Sequence, residues 1–127
     1  MKKITRFHAV KILEWCKSKY GRSNKSYPTL EFRKPDYMNG DQAQGEYEYE
    51  DNFIYVNSQA HSNLEDLADT IIHEYTHYRL HKQKAYNELT KSHVYSEHPM
   101  EKQADSIANR DKKKCVQELK KYYAQFN

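Results

Sequence analysis

Apolar and polar residues recur with helical spacing near the start of the chain and then alternate. Between residues 5 and 20 apolar side chains return at near-helical steps, and Gly21 follows where a helix cap belongs. Over residues 27–33 the pattern changes to alternation, with Leu30 and Phe32 on one face. We therefore predict a helix over 5–20, a strand over 27–33 and a loop over 34–45, which is rich in turn-forming residues.

Two β-rich runs flank Asp51 and Asn52. Residues 46–50 alternate between Glu and Tyr, and the second run, Phe53–Asn57, is more apolar. Asp and Asn both tolerate the left-handed backbone that a tight turn needs. The pattern predicts a β-hairpin whose second strand is the more buried one.

The strongest helix signal in the chain begins at Ser62. Ser62 and Glu65 have the spacing of a capping box, in which each side chain satisfies a backbone donor. Apolar residues then recur at three- and four-residue steps, which predicts a helix to about Lys82. Residues 83–98 are predicted as an irregular connection. A last long helix is predicted from Pro99, because proline is favoured at the first helical position.

The composition fits one modest domain. The chain has 127 residues, of which 37% are apolar and 13% aromatic, with only three glycines and three prolines. We find no internal repeat and little room for a linker. The order of elements predicts an α+β fold in a single domain over residues 1–127, with an N-terminal helix, a small and mostly antiparallel sheet, and two further helices.

The charge is mildly basic. There are 21 Lys and Arg against 18 Asp and Glu, a formal net charge of +3, well short of a dedicated nucleic-acid-binding protein. The lysines near both ends are interpreted as solvated helix faces, with weak attraction to nucleic acid as the secondary interpretation. No apolar run could span a bilayer and no signal-peptide core is present. We expect a cytoplasmic protein in which Cys16 and Cys115 are buried or free thiols.

His73 and His77 are four residues apart on the predicted helix. They differ by only about 40° around its axis, so both imidazoles can bind one Zn²⁺ from the same side. Glu74 lies about 100° round from His73, near enough to meet a metal-activated water without being a ligand. The spacing predicts one zinc ion per chain and Glu74 as the general base that takes the proton of the water.

A catalytic zinc site also needs a third protein ligand and an open fourth position. His81 lies about 12 Å along the helix from His73, too far to share one ion, and is interpreted as a cation at the helix end. Glu101 lies in the first turn of the last helix, where backbone donors favour a carboxylate, and is the preferred third ligand; His93 is the alternative. Asp105, one turn further on the same face, is predicted to hydrogen-bond the far nitrogen of a ligating histidine.

Two motifs together carry a family resemblance: His73-Glu74-x-x-His77 and, after 23 intervening residues, Glu101-x-x-Ala104-Asp105. They resemble the gluzincin metallopeptidases, in which a glutamate on a second, "glutamate" helix completes the site and an Asp stands behind it. The short chain is similar to the minimal single-domain members called minigluzincins. The resemblance implies a zincin-like fold, zinc, and hydrolysis of a peptide or protein substrate.

The resemblance implies two further features. One is a sheet edge strand that pairs with the substrate backbone, for which the best candidate is the run Phe53, Ile54, Tyr55, Val56 and Asn57. The other is a Tyr or His that stabilises the transition state. The candidates between the two metal-binding helices are Tyr95, His93 and His98.

Other functions remain open at this point. SprT-like DNA-associated proteases use a His as third ligand, and the gap from His77 to His93 is similar, but the cysteine-rich zinc module of that class is missing. The ImmA/IrrE peptidases share the pattern and usually add a DNA-binding module. A non-catalytic zinc-binding interaction module is the third alternative. Glu74 argues against it, because a purely structural site has no use for a general base.

Overall fold

The computed structural model describes residues 3–35 and 43–127, and within them the fold is α+β. The elements are, in chain order, α1 Arg6–Tyr20, β1 Thr29–Arg33, β2 Gly45–Glu48, β3 Phe53–Asn57, α2 Leu64–Leu80, α3 Gln83–Thr90 and α4 Pro99–Tyr122. Two short 3₁₀ turns lie at Tyr95–Glu97 and Ala124–Phe126. The predicted loop over residues 34–45 lies largely outside the described residues. None of the described helices is long and apolar enough to cross a membrane.

The first helix agrees with the prediction to within one residue. Thr5 precedes it, and the Thr5 backbone N–H donates to Nδ1 of His8 at 3.0 Å. Gly21 ends it with a φ of 81°, a conformation that glycine adopts without strain. The α1 face that carries Ile12 and Cys16 is fully buried against the core.

The sheet is mixed, so the prediction of a mostly antiparallel sheet is wrong. The hairpin of β2 and β3 is antiparallel as predicted, and Asn52 in its turn has a φ of 54°. On its other side β3 pairs with β1 in parallel, which gives the order β1-β3-β2. β3 is the most apolar strand. It lies between β1 and β2, so that both of its edges are covered and Ile54 to Asn57 are buried.

The central position of β3 also overturns the prediction that it is an edge strand. The residues proposed to pair with substrate, Phe53, Ile54, Tyr55, Val56 and Asn57, are all paired with β1. Their other side is covered by β2, which is the outer strand on that side within the described part of the chain. A strand with neighbours on both sides has no free backbone groups to offer a peptide.

Helix α2 begins one residue later than the capping-box pattern indicates. The N-cap is Asn63, whose side-chain oxygen accepts from the Asp66 backbone N–H at 2.9 Å, while the Ser62 hydroxyl donates to the Asp66 carboxylate at 2.7 Å. Both residues can cap a helix, and Asn63 has the extended backbone that an N-cap requires. With Asn63 as its N-cap the helix begins at Leu64, and Glu74 and both motif histidines lie inside it.

Residues 83–90 form helix α3, so the prediction of an irregular connection over 83–98 is wrong for this half. None of its residues is buried. The helix has only eight residues and no side-chain hydrogen bond caps it at Lys82, so the sequence carries no start signal for it, although most of its residues are good helix formers. The helix is held through Tyr86, which reaches the site described below.

Helix α2 is the centre of the molecule. Ten of its residues are buried, because α1, the sheet and α4 cover different sides of it. The α4 residues that face it include Ala104 and Ala108, both fully buried, and such small side chains let two helices approach closely.

Cys16 and Cys115 lie in the same core as free thiols, and burial raises the pKa of both. Buried, protonated thiols of this kind are inert.

Candidate metal centre

Three side chains from α2 and α4 converge on one point. His73 Nε2 and His77 Nε2 lie 3.3 Å apart. Glu101 Oε1 lies 2.7 Å from the first and 3.0 Å from the second. The helix spacing brings the imidazoles together, and the first turn of α4 brings the carboxylate across to them. The preferred third-ligand candidate is therefore at the site.

The separation of these atoms can be compared with what zinc requires. At bond lengths near 2.0–2.1 Å, ligand atoms of a tetrahedral ion lie about 3.3–3.4 Å apart. The two imidazole nitrogens match this at 3.3 Å. Glu101 Oε1 is closer, by roughly 0.3–0.6 Å, so a small outward movement of one carboxylate completes the geometry. The residues fit a zinc ion.

Glu74 belongs to the cluster but is not one of its three closest members. One atom each from His73, Glu74 and His77 lie within 4.8 Å of one another. However, Glu74 Oε2 is 3.9 Å from His73 Nε2, well beyond the Glu101 distances. Glu74 Oε1 instead accepts the backbone N–H of Tyr47 on β2 at 2.9 Å. We therefore assign Glu101, and not Glu74, to the candidate ligand set.

The charges around the cluster shift the pKa values of its members. Burial lowers the pKa of His73, but the hydrogen bond to Glu101 and the charges of Glu74, Glu101 and Asp105 outweigh it and raise the pKa to about 9. Burial raises the pKa of Glu101, but hydrogen bonds from both histidines and from Tyr86 lower it overall. Burial raises the pKa of Glu74, partly offset by the charges of the two histidines. The cluster favours one buried carboxylate that remains ionised and another that accepts a proton more readily than usual.

The outer nitrogens of the two imidazoles have different partners. His73 Nδ1 lies 2.8 Å from Asp105 Oδ1, the contact predicted for Asp105. His77 Nδ1 lies 2.9 Å from His81 Nδ1. His81 is 8% exposed and its pKa is lowered, first by burial. The structure therefore places His81 beside His77 as a buried partner, and not at the surface as the solvated cation expected from the sequence.

Two cavities open at the cluster, and both include Gly45, Glu74 and Tyr95 in their linings. One has a volume of about 370 Å³ and also contacts His77, Tyr86 and the edge strand β2. The second, of about 300 Å³, contacts His73. Because they share these lining residues, we call the two cavities together the β2 cleft. No Lys or Arg is among the described residues that line it.

Of the three candidates for stabilising a transition state, one lines the cleft. Tyr95 is 69% exposed and lines both cavities, and partial burial together with the charges of Glu101 and Glu74 raises its pKa. His98 is 1% exposed and caps α4, accepting from Met100 N–H through Nδ1 at 3.2 Å. His93 Nδ1 lies 3.1 Å from the Leu89 carbonyl at the end of α3 and lines neither cavity.

The same position removes His93 as the alternative third ligand. Its ring nitrogen Nδ1 is within hydrogen-bonding distance of Leu89 O and of the Ser92 hydroxyl, at 3.1 and 3.0 Å. The carboxylate of Glu101 occupies the position beside both motif imidazoles. The structure thus brings Glu101, and not His93, to the cluster.

Sequence patterns did not reveal the contributions of Tyr86 and β2. The Tyr86 hydroxyl donates a short hydrogen bond to Glu101 Oε2, and its ring stacks on His98 with centroids 4.1 Å apart. On β2, a Cβ added at Gly45 would lie 2.5 Å from Thr70 Cγ2 and 2.9 Å from Tyr55 O. Glycine therefore allows the edge strand to lie directly on α2 beside Glu74. A backbone N–H donor and a close approach of two elements depend on no particular side chain, so no sequence motif marks them.

Comparisons of the chain with models of protein families, with curated proteins and with solved structures give no match.

Proposed function

We propose that the protein is a zinc-dependent metallopeptidase of the gluzincin type with a zincin-like fold. The observation that carries the proposal is the separation of roles within one cluster. His73, His77 and Glu101 offer three atoms at mutual distances of 2.7 to 3.3 Å. A second carboxylate, Glu74, stands outside that set and lines an open cleft. A structural zinc site has neither an open position nor a spare carboxylate.

The chemistry follows from the positions of the side chains. A zinc ion, when bound, acidifies water and polarises a carbonyl group. Glu74 Oε1 is held by the Tyr47 N–H, which leaves Oε2 to take a proton from the attacking water. Burial raises the pKa of Glu74, which makes it a stronger base and also allows it to pass the proton to the leaving amine. Asp105 orients His73 through Nδ1.

The substrate lies along β2 in this proposal. Among the described strands β2 is a sheet edge, and it lines the cavity of about 370 Å³ from Gly45 to Glu48. An extended peptide can pair with the outer side of such a strand, which would bring one of its carbonyl groups near the cluster. Tyr95 is the candidate that can donate to the carbonyl oxygen as negative charge develops on it, because its ring lines both cavities.

The charge of the β2 cleft favours basic substrates. The described residues lining it include Glu46, Glu48, Asp69 and Asp105 and no Lys or Arg, although the whole chain has an excess of basic residues. Peptides with Lys or Arg near the scissile bond should therefore be cleaved faster than the same peptides with Glu at those positions. The two peptide sets, compared in kcat/KM at low ionic strength, test this directly.

The function itself is tested by separating metal binding from catalysis. The wild type should bind one zinc per chain and cleave unstructured peptides. Glu74→Gln should bind zinc as tightly as the wild type and have a kcat about 10²–10⁴-fold lower, because the substitution removes the base and not a ligand. Equal rates in both proteins, prepared in parallel, would mean that Glu74 is not the base or that the activity comes from a contaminant.

A further inference from the structure

The two candidate ligand imidazoles are oriented by chemically different partners. Asp105 beside His73 Nδ1 is a carboxylate, which only accepts a hydrogen bond. The partner of His77 Nδ1, at 2.9 Å, is His81 Nδ1, which can be either donor or acceptor. His81 alone therefore leaves the proton position on His77 undecided. The position of the proton on His77 therefore depends on the hydrogen-bond partner of the other His81 nitrogen, Nε2.

That other nitrogen faces α4. His81 Nε2 lies 2.6 Å from Oε1 of Gln103. With the carbonyl oxygen turned to it, His81 carries its proton on Nε2 and accepts at Nδ1. His77 must then carry its proton on Nδ1, and the lone pair of His77 Nε2 faces His73 and Glu101. This is the only neutral tautomer of His77 that can bind a metal through Nε2.

Reversing the Gln103 amide reverses every hydrogen bond in the series. An N–H group facing His81 would place the His81 proton on Nδ1, where it would be donated to His77. His77 would then carry its proton on Nε2, pointing at Glu101 Oε1 only 3.0 Å away. That state blocks metal binding at this nitrogen. Because a neutral imidazole has one donor and one acceptor, a mixed arrangement would sacrifice a buried hydrogen bond.

We propose that His81 and Gln103 are positioning residues that hold His77 in the metal-binding tautomer. The inference rests on the proposed zinc site and adds to Asp105 two further residues that act through a ligand, His77 in this case. Gln103 is exposed on α4 and His81 is buried at the end of α2, so the series also ties the two helices together beside the metal.

The experiment uses substitutions at Gln103 that fix the direction of the hydrogen bond. Gln103→Glu can only accept and should keep zinc affinity within about threefold of the wild type. Gln103→Lys can only donate and should weaken it about 10–100-fold, the usual effect of losing an outer partner. Gln103→Met has no charge and should also weaken it. Affinities are measured by competition with a chelator, so that activity plays no part.

Two substitutions elsewhere on α4 test whether charge alone changes the zinc affinity. Ser106→Lys and Ser106→Glu add the same charges at an exposed position one turn further along α4. They should change zinc affinity much less than the Gln103 variants. A Ser106→Lys effect as large as that of Gln103→Lys would assign the loss to charge and overturn the inference.

The proton positions themselves are read by long-range ¹H–¹⁵N NMR correlations of the histidine rings. In the zinc-loaded wild type and in Gln103→Glu, His81 should be protonated at Nε2 and His77 at Nδ1. Protonation of His81 at Nδ1, or wild-type affinity in both Gln103→Lys and Gln103→Met, overturns the positioning role while leaving the zinc site intact. A wild type that binds no zinc overturns the inference and the proposed function together.

Discussion

The two sides of α2 contribute to the cluster in different ways. The α4 side supplies side chains, with Glu101 at both imidazoles and Asp105 behind His73. The β2 side supplies backbone, with the Tyr47 N–H on Glu74 and a glycine that permits close approach. In the proposed site, α4 would therefore complete the metal ligands that α2 begins, and β2 would position the proposed general base, Glu74. Changes on the two sides should therefore affect different properties.

The largest expected effect is on the α4 side. Glu101→Ala should reduce zinc affinity by more than about 100-fold, because even an outer partner of a metal ligand contributes 10–100-fold. His93→Ala, the matched control, should keep full affinity, since His93 is held by the Leu89 carbonyl away from the cluster. Chelator competition measures both. Zinc retained by Glu101→Ala and lost by His93→Ala would refute the gluzincin assignment and favour a His third ligand.

The β2 side should change catalysis without changing zinc. Gly45→Ala places a Cβ 2.5 Å from Thr70 Cγ2 and 2.9 Å from Tyr55 O, so the edge strand must move away from Glu74. A displacement of about 1 Å at a catalytic group can cost on the order of 10²-fold in kcat. Zinc affinity should remain within about threefold of the wild type.

The second described glycine of the chain provides the control. At Gly21 an added Cβ meets nothing within 4 Å, but the φ of 81° strains any other residue. Gly21→Ala should therefore lower the melting temperature and leave kcat unchanged. If Gly45→Ala lost zinc along with activity, the division between the two sides of α2 would be wrong.

Asp105 should show an intermediate effect confined to the metal. Asp105→Ala removes the partner of His73 Nδ1 and should raise the zinc requirement for activity about 10–100-fold. The Asp105 side chain is 73% exposed, so the metal-free protein should unfold at an unchanged temperature. Superimposable titrations of activity against free zinc for variant and wild type would leave Asp105 with no role in the site.

The smallest effect is the pH dependence of the metal-free protein. The pKa of His73 is raised from 6.5 to about 9 in the folded state. The pairing with Glu101 therefore stabilises the fold fully below pH 6.5 and is lost as the pH rises through 9. We expect a loss on the order of 1–3 kcal/mol in the free energy of unfolding. Urea unfolding with chelator at about pH 6 and about pH 10 measures it. His73→Gln should reduce this change in the free energy of unfolding between the two pH values. An equal change in both proteins would contradict the assignment.

The sequence predicted the α4 side far better than the β2 side. Helical periodicity and the spacing of His73, His77, Glu101 and Asp105 predict which side chains meet, because a helix fixes the angle between its residues. The proximity of Glu101 to both imidazoles, and of Asp105 to His73, agrees with that prediction. The α+β class and the hairpin are confirmed as well.

Properties set by long-range packing were not predicted. Strand order depends on how β1 and β2 compete for the two edges of β3, and nothing in the local pattern decides it. Helix α3 is short and no side-chain hydrogen bond caps its start at Lys82, so it was not predicted and Tyr86 was missed. His81 was interpreted only as a cation at the helix end, although its spacing of four from His77 already indicated an imidazole pair.

The most direct test is the position of zinc in crystals of the zinc-loaded protein, located by anomalous diffraction at the zinc absorption edge. The account predicts one zinc site, about 2.0–2.2 Å from His73 Nε2, His77 Nε2 and a Glu101 oxygen, with Glu74 outside bonding distance. A zinc ion bound directly by Glu74, or located away from these side chains, would contradict the proposed metallopeptidase centre.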